Sequence, residues 1–413
     1  MKIEKTKKPH PTLILKSCYR VYSETVKPEW AIGPLTKHRF VALMSVVIFT
    51  AIFYSLQEWL WPSQRPAVSL LEKTWTIGHY LWLAGAPMCT LMIVGIMLYR
   101  KKPLINIAPI PNQVVWRIVT LGQNVTALLY TISRIQESMA RLPLFPYVIE
   151  VITESGVLEE NVVPILSGNV QFLHVPANYV TEHKTRFKAR ALHYAVEHSP
   201  VPDDAWLVHL DEETCPTDSG VLGIARMIAE EEASGQLRIG QGAILYHRQW
   251  KKFPFLTLAD NARTGMDFGP FYLQSQISTS IFGFHGSYIV IRNDVEKECG
   301  GFDLGQAGDI TEDAWWILIA NAKGFKIRWL DGFLEEQSTQ SPGFWKDGFR
   351  PKILGLTIWI PGPRDFIKQR ARWTEGLIKV VRYAPVPLWR RMSLGINLLL
   401  WGIVCLSVLY SVA

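Results

Sequence analysis

Between residues 103 and 392 short β-branched apolar runs alternate with longer stretches whose apolar residues recur at helical spacing. "VVWRIVTLG" (114–122) reads as a buried strand, and "NVTALLYTISRIQESM" after it as a helix. "YVIEVITESG" (147–156) is the next strand and "VQFLHVP" (170–176) a third, followed by a helix over "TRFKARALHYAVEH" (185–198). "AWLVHLDEET" (205–214) is a fourth strand, apolar until it breaks into carboxylates. Strand and helix alternating at this spacing predict an α/β fold, a Rossmann-like, mostly parallel sheet with helices on both faces. Such sheets bind ligands outside the carboxyl ends of their strands, which puts Glu154, Asp211 and Glu213 along one edge.

Three other apolar runs have the length that crosses a bilayer, about 20 helical residues. They are 40–61, roughly 76–99, and 393–413. The first starts too far into the chain and lacks the small-residue site of a cleavable signal peptide. Residues 1–39 carry nine Lys and Arg, whereas the loop 62–75 holds Arg65 and Lys73. "RKK" closes the second run and Arg390-Arg391 precede the third. By the positive-inside rule the N-terminus and the 103–392 region face the cytosol. The division expected is a cytosolic segment 1–39, two transmembrane helices within 40–102, and a catalytic domain 103–345. An interfacial segment 346–392 and a transmembrane helix 393–413 follow. This describes a multi-pass membrane protein with its central domain in the cytosol.

Composition agrees with that layout. Of 413 residues 48% are hydrophobic, 16 are Trp, and the net charge is +7, a balance suited to anionic lipid rather than to a soluble enzyme. Nucleic acid is not an expected partner. Five scattered cysteines show no CxxC pairing, so neither a disulfide framework nor a zinc site is legible.

Candidate chemistry lies where the periodicity breaks. Asp211 and Glu213, two apart in an extended segment, point to the same side. They suit Mg²⁺ or Mn²⁺ shared with substrate phosphates, or form a solvated acidic turn. In "GDITEDAWW" (308–316) Thr311 caps a helix that Glu312 and Asp313 open; the acids there offset the helix dipole or serve as a general base. "GFHGS" (283–287) is a bend whose Gly286 lets a sugar or head group approach the backbone, with His285 as a lining or a structural residue. Lys188 sits on the helix after the third strand, either solvated or on a nucleotide. "DFIKQRARWTEG" (365–376) precedes the last apolar run, and at helical spacing Gln369, Arg372 and Trp373 share one face. Those three are expected to turn inward, with Lys368 and Arg370 left toward lipid. "FRPKILGLTIWIPGPRDF" (349–366) reads as an interfacial segment or a buried connector.

Strand-end acid, "KARAL", "DEE", "TED" and "QRARW" in this order resemble the boxes of inverting family 2 glycosyltransferases with a GT-A fold, over about residues 112–392. Within that family the two N-terminal runs, "VVWRIVTLG", "KARALHYAVEH" and "HLDEET" are most similar to Egghead-type β-1,4-mannosyltransferases of invertebrate glycosphingolipid synthesis. The resemblance implies mannose transfer from GDP-mannose to glucosylceramide with a divalent cation. It makes Asp313 the base, Asp211 and Glu213 the metal carboxylates, and Glu154, Lys188, Asp211, Gln369 and Arg372 donor contacts. Trp373, His285, Gly286 and Glu312 fall to the acceptor side. Glu154 and Glu213 depart from the family, which usually has Asp there. The competing expectations are a ceramide glucosyltransferase using UDP-glucose and a non-catalytic membrane scaffold with the same fold. A processive synthase needs more spans than three.

Overall fold

The computed structural model describes chiefly residues 85–154, 169–246, 254–337 and 364–412, with 352–353 and 356–357. Helix α1 (Ala86–Leu98) leads to β1 (Val114–Thr120), α2 (Val125–Arg141), β2 (Tyr147–Thr153) and β3 (Val170–His174). Helix α3 (Phe187–His198), β4 (Trp206–Asp211), β5 (Thr214–Pro216), α4 (Asp218–Ser234) and β6 (Ile239–Leu245) follow. Next are α5 (Pro254–Met266), a π-helical stretch (Asp267–Phe271), α6 (Tyr272–Gln276), β7 (Ile289–Arg292) and α7 (Asn293–Glu298). Helix α8 (Glu312–Ala322), β8 (Ile327–Glu336), α9 (Arg364–Tyr383) and α10 (Leu388–Val412) follow in turn.

The strand order is β3-β2-β1-β4-β7-β6-β8-β5. Strands β3, β2, β1 and β4 run parallel, as do β6 and β8. Strand β7 is antiparallel to both its neighbours and β5 to β8, so the sheet is mixed, yet mostly parallel as expected, since six of its eight strands run the same way. The reason lies in the route of the chain. It returns from the carboxyl edge through the 283–287 bend, and Tyr288 N donates to His209 O of β4 at 2.8 Å, so β7 must run back.

Period-two alternation covers both faces, as expected. Trp116 and Ile118 of β1 pack with Leu128 and Ile132 of α2 and with Ile224 of α4. Val115 and Leu207 point the other way, onto Leu192 of α3 and Trp316 of α8. Each such side chain contributes about 1.5–3 kcal/mol of burial. Arg117, on the second face, is fully buried, which is tolerable only because Glu150 (2.6 Å) and Glu296 (2.7 Å) pair with it. The switch point, where the order turns from β1 to β2 on one side and to β4 on the other, opens at the edge bearing Asp211.

Helices α9 and α10 form a pair against α8, with Val380, Ala384 and Leu394 packed on Trp315 and Leu318. Gly376 allows the approach, since a Cβ there would lie 2.5 Å from Thr311 Cγ2. Arg390, expected to flank a membrane span, is buried instead and donates to Asn321 Oδ1, which ties the start of α10 to the domain. Among the described residues no helix is long and apolar enough to cross a membrane. The segment 1–39, the run 40–61, most of the run 76–99 and most of the interfacial segment 349–366 lie outside the described residues.

Candidate active site

Strand β4 ends at Asp211, and the three carboxylates that begin there part company. Glu212 accepts from Thr120 Oγ1 at the end of β1, which turns it back into the sheet. Asp211 Oδ1 meets Lys188 Nζ at 2.6 Å. Glu213 faces Glu336 at the end of β8, and burial together with Glu336, Asp211 and Glu212 pushes its carboxyl well above the usual range.

Lys188, expected on a solvated face or a nucleotide, is the hub of this edge. Beyond Asp211 it lies 3.4 Å from Glu312 and donates to Gly286 O at 2.9 Å. Burial alone would lower its ammonium pKa, but Asp211 and Glu312 hold it above the normal value. The bend at 283–287 is as close as its glycine suggested: a Cβ on Gly286 would sit 3.0 Å from Lys188 Nζ and 3.2 Å from Asp313 Oδ2. Four separate stretches of chain therefore bring Lys188, Asp211, Gly286, Glu312 and Asp313 together.

Asp313 opens α8, and its Oδ1 accepts from Ala314 N at 2.8 Å. Thr311 occupies the cap position, but its side chain makes no capping hydrogen bond; packing beneath Gly376 takes its place. Burial, then repulsion from Glu312, raises the Asp313 carboxyl to about 7, opposed by Lys188. A carboxylate poised near neutrality is suited to accept a proton.

The remaining expected residues are placed differently. Glu154, at the end of β2, pairs with Arg190 at 2.7 Å. His285 is mostly buried, its Nε2 lying 3.2 Å from Gly242 O and 3.4 Å from Asp267 Oδ1, and the burial lowers its pKa to about 3. That favours its neutral form. On α9 the expected facing fails in part, because Arg372 is exposed and Arg370 turns inward to Asp260. The buried Asp260 carboxylate draws Arg370 in, whereas among the described residues no carboxylate pairs with Arg372. Gln369 and Trp373 are half-buried and Lys368 is exposed, as expected. The ring of Trp373 is met by two guanidiniums, those of Arg370 (4.3 Å) and Arg263 (4.7 Å).

Arg263, Asp260, Asp267, Tyr246 and Glu336 were not singled out from sequence. Asp260, Arg263 and Asp267 recur at i, i+3, i+7 within an otherwise apolar helical stretch, and charge on that face was the available signal. Glu336 ends an apolar strand in carboxylates, as Asp211 does.

Among the described residues no three His, Cys, Asp or Glu side chains form a ligand group, so these residues alone offer no closed metal cage. An open site fits better. Asp211 and Glu213 present hard oxygens at a turn where the carboxylates repel one another, and a divalent cation completed by diphosphate and water would relieve that.

A mixed sheet with a lysine and several carboxylates gathered at its switch point is an arrangement suited to group transfer from a phosphorylated donor. Residues 206–413 match the family model described as glycosyl transferase family group 2, and the chain belongs to that family. It is 28% identical over 347 residues to the β-1,4-mannosyltransferase bre-3 of Caenorhabditis elegans, covering 81% of this chain and 69% of that protein. To the β-1,4-mannosyltransferase egh of Drosophila melanogaster it is 28% identical over 337 residues, covering 80% and 67%. Among solved structures, a Pyrobaculum calidifontis mannosyltransferase in complex with GDP-Man and Mn²⁺ superposes with a TM-score of 0.50 at 13% identity, over 81% of this chain and 85% of that one. That likeness establishes a GT-A-like fold.

Proposed function

We propose that this enzyme transfers mannose from GDP-mannose to glucosylceramide with inversion, forming Manβ1,4-Glc-ceramide at the cytosolic face of an ER or Golgi membrane. The observation that carries the reading is the meeting of Lys188, Asp211, Gly286, Glu312 and Asp313 at the switch point. The choice of mannose rests on the two β-1,4-mannosyltransferase relatives, bre-3 and egh.

The chemistry follows from the residues. The acceptor hydroxyl oxygen attacks the anomeric carbon in line, the bond to the diphosphate oxygen breaks, and Asp313 takes the hydroxyl proton. Positioned proton transfer of this kind contributes typically about 10²–10⁴-fold. A divalent cation, Mg²⁺ or Mn²⁺, held by Asp211 and Glu213 would neutralise charge on the leaving diphosphate. Lys188, already beside Asp211, adds a fixed positive charge at the same edge. Gly286 keeps the space between Lys188 and Asp313 free of a side chain, so donor and acceptor meet there.

A ceramide chain stays in the bilayer, because each CH₂ drawn into water costs about 0.8 kcal/mol. The site must therefore reach the headgroups, and the exposed Ile378, Tyr383, Trp389 and Met392 of α9 and α10 support a lipid-facing side. Purified protein given glucosylceramide and a panel of nucleotide sugars tests the reading by mass spectrometry of the glycolipid. A hexose added from GDP-mannose alone is the expected product. Transfer only from UDP-glucose, with ceramide as acceptor, would replace it with a ceramide glucosyltransferase.

A further inference from the structure

Arg263 belongs to none of the motifs, yet its guanidinium meets three elements at once. Its Cζ lies 4.4 Å from the ring of Tyr246, just past β6, and 4.7 Å from the ring of Trp373 on α9. Its Nη1 lies 3.7 Å from Glu336 Oε1 at the end of β8. Arg370 approaches the same Trp373 ring and is held by Asp260, one turn before Arg263 on α5. Helix α9 is thus fastened to α5 through one shared indole. From Glu336 a line of hydrogen bonds leads to the catalytic edge. Thr214 Oγ1 donates to Glu336 Oε2 (3.0 Å), Ser287 Oγ to Thr214 Oγ1 (2.9 Å), and Asp211 N to Ser287 Oγ (3.1 Å).

We propose that Arg263 is the positioning residue of the acceptor wall: its planar cation fixes the ring of Trp373 and ties α9 to the strand-end carboxylates through Glu336. A planar guanidinium can face two aromatic rings and still reach a carboxylate, whereas the compact ammonium of lysine holds the charge without the stacking. This rests on the reading of Trp373 as an acceptor contact.

The test is a double-mutant cycle in the full-length protein reconstituted in lipid nanodiscs, with Arg263→Lys, Trp373→Leu and both together. Loss of a cation–π contact of this kind converts to an increase of about 2- to 30-fold in acceptor KM for Arg263→Lys. Donor KM and the slow hydrolysis of donor by water should stay within about 2-fold, since lysine keeps the charge beside Glu336 and neither measurement uses the face of the Trp373 ring. In the Trp373→Leu background the lysine substitution should add less than about 2-fold, because its partner is gone. Additive losses, or donor KM and hydrolysis moving in step with acceptor KM, assign Arg263 a merely structural role and overturn the proposal. Should Arg263→Lys not fold, Tyr246→Leu removes one aromatic support and leaves the charge; an unchanged acceptor KM there overturns it equally. Wild-type transfer from the nucleotide-sugar panel is read separately, so a wrong donor is distinguished from a wrong role for Arg263.

Discussion

Under the proposed mechanism the base is one carboxyl group, that of Asp313, half-buried next to Glu312 and raised to about 7. Only its ionised form takes a proton, so kcat/KM for the acceptor should rise with pH through about 7 and then level. Asp313→Asn keeps an oxygen for Ala314 N while removing the base. Activity should fall by about 10²–10⁴-fold with the melting temperature nearly unchanged, as pH-rate profiles and thermal melts of both proteins will read. Normal transfer by this variant would exclude Asp313 as the base. At this scale Asp211, Lys188 and Asp313 were legible because each interrupts an apolar periodicity at the end of a strand or the start of a helix. Arg263 and Glu336 were not, because spacing along one helix or strand does not say which distant residue will face it. The facing of α9 went wrong for the same reason. A helical wheel groups Gln369, Arg372 and Trp373, but it takes the buried Asp260 on another helix to pull Arg370 inward.

At the scale of elements, two contacts decide how the site is held. Helix α4 lies on β8 so closely that a Cβ on Gly223 would fall 1.6 Å from Asp331 O. Backbone cannot yield as a flexible side chain does, so Gly223→Ala should cost about 3 kcal/mol or more and lower Tm by roughly 6 °C or more in thermal melts. The π-helical stretch begins at Asp267, whose Oδ2 accepts from Ile244 N of β6 at 2.9 Å. Burial raises that carboxyl to about 8 against an unfolded value near 3.9. Between those values the folded state keeps a proton that the unfolded chain releases. Its contribution therefore favours folding at low pH and is lost as pH rises toward 8. Asp267→Asn should flatten the decline of Tm between pH 5 and 8; an unchanged slope would place the ionised form in the fold. The strands and helices were readable from periodicity, but the order of the sheet was not. That β7 runs backward between β4 and β6 depends on where the 283–287 bend lies in space, which no local pattern encodes.

For the whole molecule, the proposed function asks how a water-soluble donor and a membrane-bound acceptor would reach one cleft. Helices α9 and α10 leave Ile367, Ile378, Tyr383, Leu388, Trp389, Met392, Ile396 and Leu399 exposed, while their opposite sides pack on α8. Exposed apolar residues in that number on a helix pair suit a covering partner, and under the proposed function that partner is anionic lipid, matching the chain's excess of seven positive charges. The same helices carry Trp373 and, through Gly376, rest on Thr311 beside Asp313. Under the proposed function, lipid bound on one side of the pair would present the other side to the acceptor head group. Trp389→Glu combined with Met392→Glu puts charge on the lipid-facing side without touching the cleft. Transfer to glucosylceramide in anionic vesicles should fall by about 10-fold or more, since each residue loses most of its burial free energy. Transfer to a short-chain soluble glucoside should stay within about 3-fold, because that acceptor reaches Asp313 through water. Equal losses on both acceptors would show the two residues supporting the fold rather than the membrane contact. Equal retention on both would move the lipid surface elsewhere on the molecule.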